Sequence, residues 1–323
     1  MNNIFASFND FKVTFANDIE VKLVQSGIKA DVQERNVQKL NESYTGLTVT
    51  PEGSNIGMNL CLDRFYNAIE NGTSYEEVME EALKIVQKAL NECPIVDISE
   101  MTDYEKMKKN LVVQVVSAER NAEMLKDVPH TLIEDLAVVY RFIINRDEIG
   151  MASILVTNQI LETMGVSPAQ LKADAMEYAP KNKPVEIKGL IELMIEMMGR
   201  EQAMMMGLVP SDNPSEQILV ATVPDKVQGA GVIAYPGFFE QAAERTHGDF
   251  YLLPSSLHEV LMVPDIGKMG YRVLADMVQD VNNTQVAPED KLSDTVYHYS
   301  VKDKVFETGQ KWLARTNCEE ALA

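Results

Sequence analysis

Apolar residues at Phe8, Phe11, Phe15, Ile19 and Leu23 recur at close to a helical period, and a glycine at position 27 follows the run. The segment from Phe5 to Gly27 therefore predicts a helix with one buried stripe. The pattern shortens over residues 29–62. Val32, Val37, Leu40, Leu47, Val49, Ile56, Met58 and Leu60 fall in short runs broken at Tyr44-Thr45-Gly46 and Pro51-Glu52-Gly53, which predicts three strands joined by turns. From Leu62 to Ala89 the helical period returns. Ser74 followed three residues later by Glu77 is a capping box, ahead of Val78, Ala82, Ile85, Val86 and Leu90 on one face. Glu76, Glu77, Glu80 and Glu81 fall on the other face and read as solvated.

A second block repeats the order with different lengths. Asp103 to Lys109 predicts a short polar helix and Leu111 to Val116 a strand. Leu136–Ile144 and Ala152–Val156 predict a hairpin around residues 145–150. Three helices follow at Thr157–Met164, at Pro168–Tyr178 behind Ser167, and at Ile187–Gly199. Strand and helix then alternate over Gln217–Val223, Val232–Tyr235, Phe238–Arg245, Phe250–Leu253, Val260–Val263, Tyr271–Val281 and Val296–Val301. Strands followed by helices, twice over, give an α+β class with predominantly antiparallel sheets packed with helices in two lobes. The lobes are set at 1–100 and 101–323, with seams near 96–104 and at the polar stretch 211–216.

Charge narrows the function classes. The 323 residues carry 29 Lys plus Arg against 49 Asp plus Glu, a formal charge of −20. Such a field repels phosphate backbones, which argues against direct nucleic-acid binding and favours a basic partner. Three cysteines, Cys61, Cys93 and Cys318, stand far apart without a CxxC pair, as expected in a reducing compartment. Neither a signal peptide at Met1–Phe5 nor an apolar run long enough to span a membrane is present, so the expectation is a soluble cytoplasmic protein.

Candidate chemistry concentrates in Gly248–Pro264. Ser255, Ser256, His258 and Glu259 stand within five residues at the end of an expected strand. A serine nucleophile with His258 as base and Glu259 as orienting carboxylate would make a hydrolase. Neighbouring side chains on one element do not converge, however, and Ser256-Leu-His-Glu259 also matches the S-x-x-E capping box. His247 and His258, with Asp249 and Glu259, form a weak metal-ligand candidate without an HExxH. Gly229-Ala-Gly-Val-Ile-Ala234 has the spacing of a dinucleotide fingerprint, but Pro236-Gly237 stops any helix behind it, so no cofactor is expected. Met194, Met197, Met198, Met204, Met205 and Met206 suit either an adaptable binding groove or, the reading preferred here, a core helix.

Leu253-Pro-Ser-Ser-Leu-His-Glu-Val260 resembles the PSS-x-HEV stretch of a family of bacterial proteins known only as a domain of unknown function. The likeness extends to Gly46–Val49, to Gly150–Asn158, and to Met277–Asn282 with Leu292-Ser-Asp294 and Tyr297. The resemblance implies one α+β architecture and soluble cytoplasmic proteins of anaerobic gut bacteria, often in many copies near mobile elements. It implies no activity, cofactor or catalytic residue. The favoured expectation is a non-enzymatic module that interacts with another protein. The alternatives are a hydrolase or metal-dependent enzyme centred on Ser255, Ser256, His258 and Glu259, and an acidic inhibitor that mimics nucleic acid. Oligomeric state is left open.

Overall fold

Ser7 opens the first helix, α1 (Phe8–Gln25), by accepting a hydrogen bond from the amide of Asp10 at 3.1 Å. The computed structural model describes residues 5–39, 42–52, 58–92, 103–147, 150–209, 213, 217–254 and 256–316. Ser255, Cys93, Cys318, Gly53, most of the expected seam at 96–104 and all but Asn213 of the stretch 211–216 lie outside them. The chain divides into two compact units, Met1–Asp97 and Ile98–Ala323. The fold is α+β, and every strand pair that follows is antiparallel.

In the first unit α1 buries Phe11, Phe15, Ile19 and Leu23, the stripe that the spacing predicts. Strands β1 (Ala30–Lys39), β2 (Glu42–Pro51) and β3 (Met58–Cys61) form a sheet in that order. Tyr44-Thr45-Gly46 is not a turn. It lies inside the central strand β2, where Gly46 is paired with Arg35 on one side and Cys61 on the other, so ladder pairing overrides turn propensity. The helical stretch 62–89 holds two helices, α2 (Leu62–Glu70) and α3 (Tyr75–Glu92), separated at Gly72, whose φ of 102° a helix does not accommodate. The capping box forms as read: Ser74 donates its amide to Glu77 Oε2 at 3.0 Å, and the Glu77 amide donates to Ser74 Oγ at 3.3 Å. Phe15 packs on Phe11 and Phe65, with ring centres 5.2 and 5.4 Å away, and closes the core.

The second unit begins with α4 (Tyr104–Met107) and a sheet centred on β6 (Leu136–Asp147). This strand pairs with β4 (Leu111–Ser117), with β5 (His130–Ile133) and, along the expected hairpin, with β7 (Gly150–Leu155). Short α5 (Ala122–Leu125) lies between β4 and β5. Helices α6 (Asn158–Met164) and α7 (Pro168–Asn182) start behind Thr157 and Ser167, whose hydroxyls cap the amides of Ile160 and Gln170.

Next, Glu186–Gly189 forms β8, and only the remainder of the expected helix 187–199 is helical, as α8 (Leu190–Met198), followed by α9 (Arg200–Met205). Ile187 is instead paired with Ala221 of β9 (Leu219–Thr222), so the sheet takes the first residues of that run. Expected strand Val232–Tyr235 is also corrected: Gly229–Ala234 is a buried 3-10 turn lying against β4 and β9. A run of apolar residues this short carries no period that separates the two. The rest is α10 (Phe238–Thr246), β10 (Phe250–Leu253), β11 (Val260–Pro264), α11 (Tyr271–Thr284), β12 (Tyr297–Ser300), β13 (Val305–Thr308) and α12 (Gly309–Thr316). These build a six-stranded sheet in the order β13-β12-β10-β11-β9-β8. Tyr251, Leu253 and Val263 on one face pack with Leu274 and Val278 of α11 and with Trp312 of α12. Among the described residues no helix is long and apolar enough to cross a membrane.

Two buried phenols of this unit rest on carboxylates. Tyr104 donates to Asp174 Oδ2 at 2.8 Å and Tyr297 to Asp135 Oδ1 at 2.5 Å. Burial first, and then the adjacent carboxylate, pushes both phenols up from their ordinary range. A raised pKa in the fold means that the neutral phenol is preferred there. The stability it contributes is complete below the unfolded pKa of about 10 and is lost as pH rises through the folded value. An ultraviolet titration is therefore expected to show these two phenolates appearing only together with unfolding. Smooth ionisation of all 11 tyrosines near pH ~10 in the folded protein would contradict it.

Candidate functional site

Pro254 and residues 256–259 lie between β10 and β11 and are tied to other segments by backbone hydrogen bonds. Pro254 accepts from the amide of Ser293 at 3.1 Å, Leu257 donates to the carbonyl of Asp290 at 2.8 Å, and the carbonyl of Leu257 accepts from Ala230 at 3.1 Å. No helix opens here, so the capping-box reading of Ser256 and Glu259 is corrected. Ser256 Oγ accepts from the amide of His258, two residues on, at 3.0 Å, an ST-turn that leads into a strand. Glu259 is exposed and forms neither a hydrogen bond nor an ion pair with any described residue.

His258 turns to partners distant in sequence. Its Nδ1 accepts from the amide of Gln228 at 3.3 Å, and Nε2 lies 3.1 Å from Asp290 Oδ1, which accepts from it. Its carbonyl accepts from Thr222 Oγ1 at 2.8 Å. Both ring nitrogens are thus engaged away from Ser256, and the carboxylate on the ring belongs to Asp290, not Glu259. Asp290 stands 32 residues further on and has no local signal in the sequence.

The loop at 224–228, which reaches His258 through Gln228, carries two non-glycine residues in the left-handed region, Lys226 (φ 54°) and Gln228 (φ 58°). Lys183, only 3% exposed, grips it from the other side: Nζ pairs with Asp225 Oδ2 at 3.1 Å and donates to the Val227 carbonyl at 2.7 Å. Sequence reading missed Lys183, because a lysine just past a helix normally reads as surface.

Beside the 254–260 segment lies a cleft of about 280 Å³, with Ser256, Glu259 and Asp290 on its polar side and Leu253, Leu261 and Val281 among its apolar walls. His247 does not join this group. It ends α10 in a left-handed conformation (φ 61°) and is exposed, while Asp249 accepts from the amide of Val301 at 2.8 Å. Among the described residues no three His, Cys, Asp or Glu side chains are placed to hold a metal ion.

The methionine helices overturn the core reading. No residue of α8 is buried, and Ala203 is the buried residue of α9. Met197, Met204, Met205 and Met206 are 78, 65, 90 and 61% exposed, with Val209 at 68% beside them. Glycine at position 199 joins the two helices with φ 84°, a conformation that L side chains rarely adopt, and so sets the angle between the two methionine runs. Glu192, Glu196 and Glu201 accompany the methionines, with Glu196 paired to Lys188 at 2.9 Å.

No match to the chain was found among curated proteins or among solved structures. A family model matches residues 8–301, which include the α1 helix, the 254–260 segment and the β12 strand. The chain belongs to this family, described as a family of unknown function (DUF5688).

Proposed function

We propose that the protein is a non-enzymatic interaction module whose contact surface is the methionine-rich helix pair α8–α9, and that its partner presents a basic amphipathic helix. The exposure of Met197, Met204, Met205 and Met206 together is the observation that carries this reading. Isolated exposed apolar residues need no explanation, whereas a cluster of large ones marks a contact site. Methionine is unbranched and polarizable, so such a face repacks around different apolar side chains. Charge selects the occupant. Glu192, Glu196 and Glu201 against Arg200 and the Lys188 that pairs with Glu196 leave the helix pair with a net acidic rim, on a chain of −20 overall. That rim attracts Lys- and Arg-bearing segments and repels an anionic membrane or a nucleic acid.

The test uses a labelled Leu/Lys amphipathic helical peptide and the full chain. Saturable binding is expected, weakened about tenfold or more by Met197→Gln with Met205→Gln, substitutions that leave charge unchanged. Unchanged binding by the double variant would show attraction by net charge alone and overturn the reading. So would partition of the protein onto phosphatidylglycerol vesicles in preference to the peptide.

A further inference from the structure

The geometry points to the cleft beside residues 256–261 as a binding site for a small organic cation, an ammonium or guanidinium head on a short apolar stem. Its size sets the class. At about 280 Å³ it offers the room of roughly nine waters, taking ~30 Å³ for each in the liquid, enough for one amino-acid side chain or a free amine but not for a nucleotide.

The lining sets the charge. Leu253, Leu261, Val281 and Val286 supply apolar wall, Ser256, Glu259 and Asp290 supply oxygen, and no Lys or Arg is among the described lining residues. Glu259 has no partner among the described residues. Asp290 Oδ1 accepts from His258 Nε2, and Oδ2 has no partner among the described residues. Two carboxylates therefore line a largely apolar cleft, each with an oxygen that no described residue engages. A cation with a hydrocarbon stem fits both walls. A neutral alcohol fills only the apolar one, and an anion is repelled.

His258 is a positioning residue here. Through Asp290 it holds the 288–290 turn against the 254–260 segment, so the carboxylate is set by the fold before a ligand arrives. The site is separate from the methionine face and stands or falls without it.

Nuclear magnetic resonance of methyl-labelled full-length protein, titrated with pentylamine, agmatine, N-acetyl-lysine methylamide and pentanol, tests the assignment. Saturable shifts at Leu253, Leu261 and Val281 with millimolar affinity are expected for the amines. Pentanol should bind at least about fivefold more weakly, the loss expected when charge-assisted hydrogen bonds are removed. Glu259→Gln, at an exposed side chain without partners among the described residues, should fold as the parent and lose most of the amine preference over pentanol. Binding of the lysine derivative as well as pentylamine would extend the site to a partner's side chain, and binding of pentylamine alone would restrict it to free amines; either supports the proposal. Pentanol binding as tightly as pentylamine, no saturation by any amine, or a Glu259→Gln variant with unchanged preference would overturn it. Met197→Gln with Met205→Gln should leave all these titrations unchanged.

Discussion

Gly229→Ala is expected to destabilise the second unit by about 4 kcal/mol or more, which for a unit of this size lowers the melting temperature by roughly 10 °C. A Cβ on Gly229 would overlap Thr222 Oγ1 and the carbonyl oxygen of His258, far inside van der Waals contact. Neither yields easily. Thr222 ends β9 and donates to that same carbonyl at 2.8 Å, and His258 is held by Gln228 and Asp290. Making room would open the hydrogen bond and move the buried 3-10 turn off β4. Gly199→Ala is the contrasting case: nothing lies within 4 Å of its Cβ, and the cost comes from φ 84° alone, on the order of 1–2 kcal/mol. Thermal melts of the two variants check the order. A Gly229→Ala melt within a degree or two of the parent would show that the 3-10 turn is not the close contact described.

Lys183→Ala is expected to cost about 3 kcal/mol. The ammonium is buried and serves both the Val227 carbonyl and Asp225. Breaking a buried pair commonly costs ~3–5 kcal/mol. Asp225 is 38% exposed, so it is rehydrated when its partner goes, and that part must be discounted. The Val227 carbonyl left without its donor and the lost packing of the aliphatic stem make up the rest. Lys183→Met, which keeps the stem, should recover about half the loss. His258→Ala should cost less than Lys183→Ala, about 1–2 kcal/mol, because its side chain is 37% exposed and water replaces part of what it gives. Urea unfolding midpoints give the order Lys183→Ala, then Lys183→Met and His258→Ala. A Lys183→Met variant as stable as the parent would mean that the loop at 224–228 does not depend on its polar clamp.

Local periodicity carried much of the architecture. Phe11, Phe15, Ile19 and Leu23 recur on one helix face, and Leu136–Ile144 with Ala152–Val156 are β-rich runs around a turn, so nearest-neighbour physics suffices for both. Failures cluster where distant residues decide. Val232–Tyr235 has strand propensity, yet Gly229 and Gly231 let the chain press against Thr222 and Val113, a contact with no trace in the local pattern. Ser256-Leu-His-Glu259 satisfies a capping spacing, but β11 pairs with β9 and β10 and claims the residues that a helix would need. Sequence singled out the right segment for the wrong reason: His258 matters through Gln228 and Asp290, each about thirty residues away. The methionines mislead differently, since an apolar composition says that a face is to be covered without saying whether this chain covers it.

Trp312, the sole tryptophan of the chain, lies flat on the imidazole of His298 with ring centres 4.0 Å apart and edge-on to Tyr251 at 5.6 Å. His298 is fully buried, its Nε2 held by Asp265 Oδ2 at 3.1 Å. Intrinsic tryptophan emission therefore samples one place, the face of the six-stranded sheet under α12 in the second unit. A fluorescence-monitored melt will report the unfolding of that sheet, whereas far-ultraviolet dichroism weighs the helices of both units. Should the two probes give different midpoints, the first unit unfolds on its own schedule, and any single melting temperature quoted for the protein would be an average over two events.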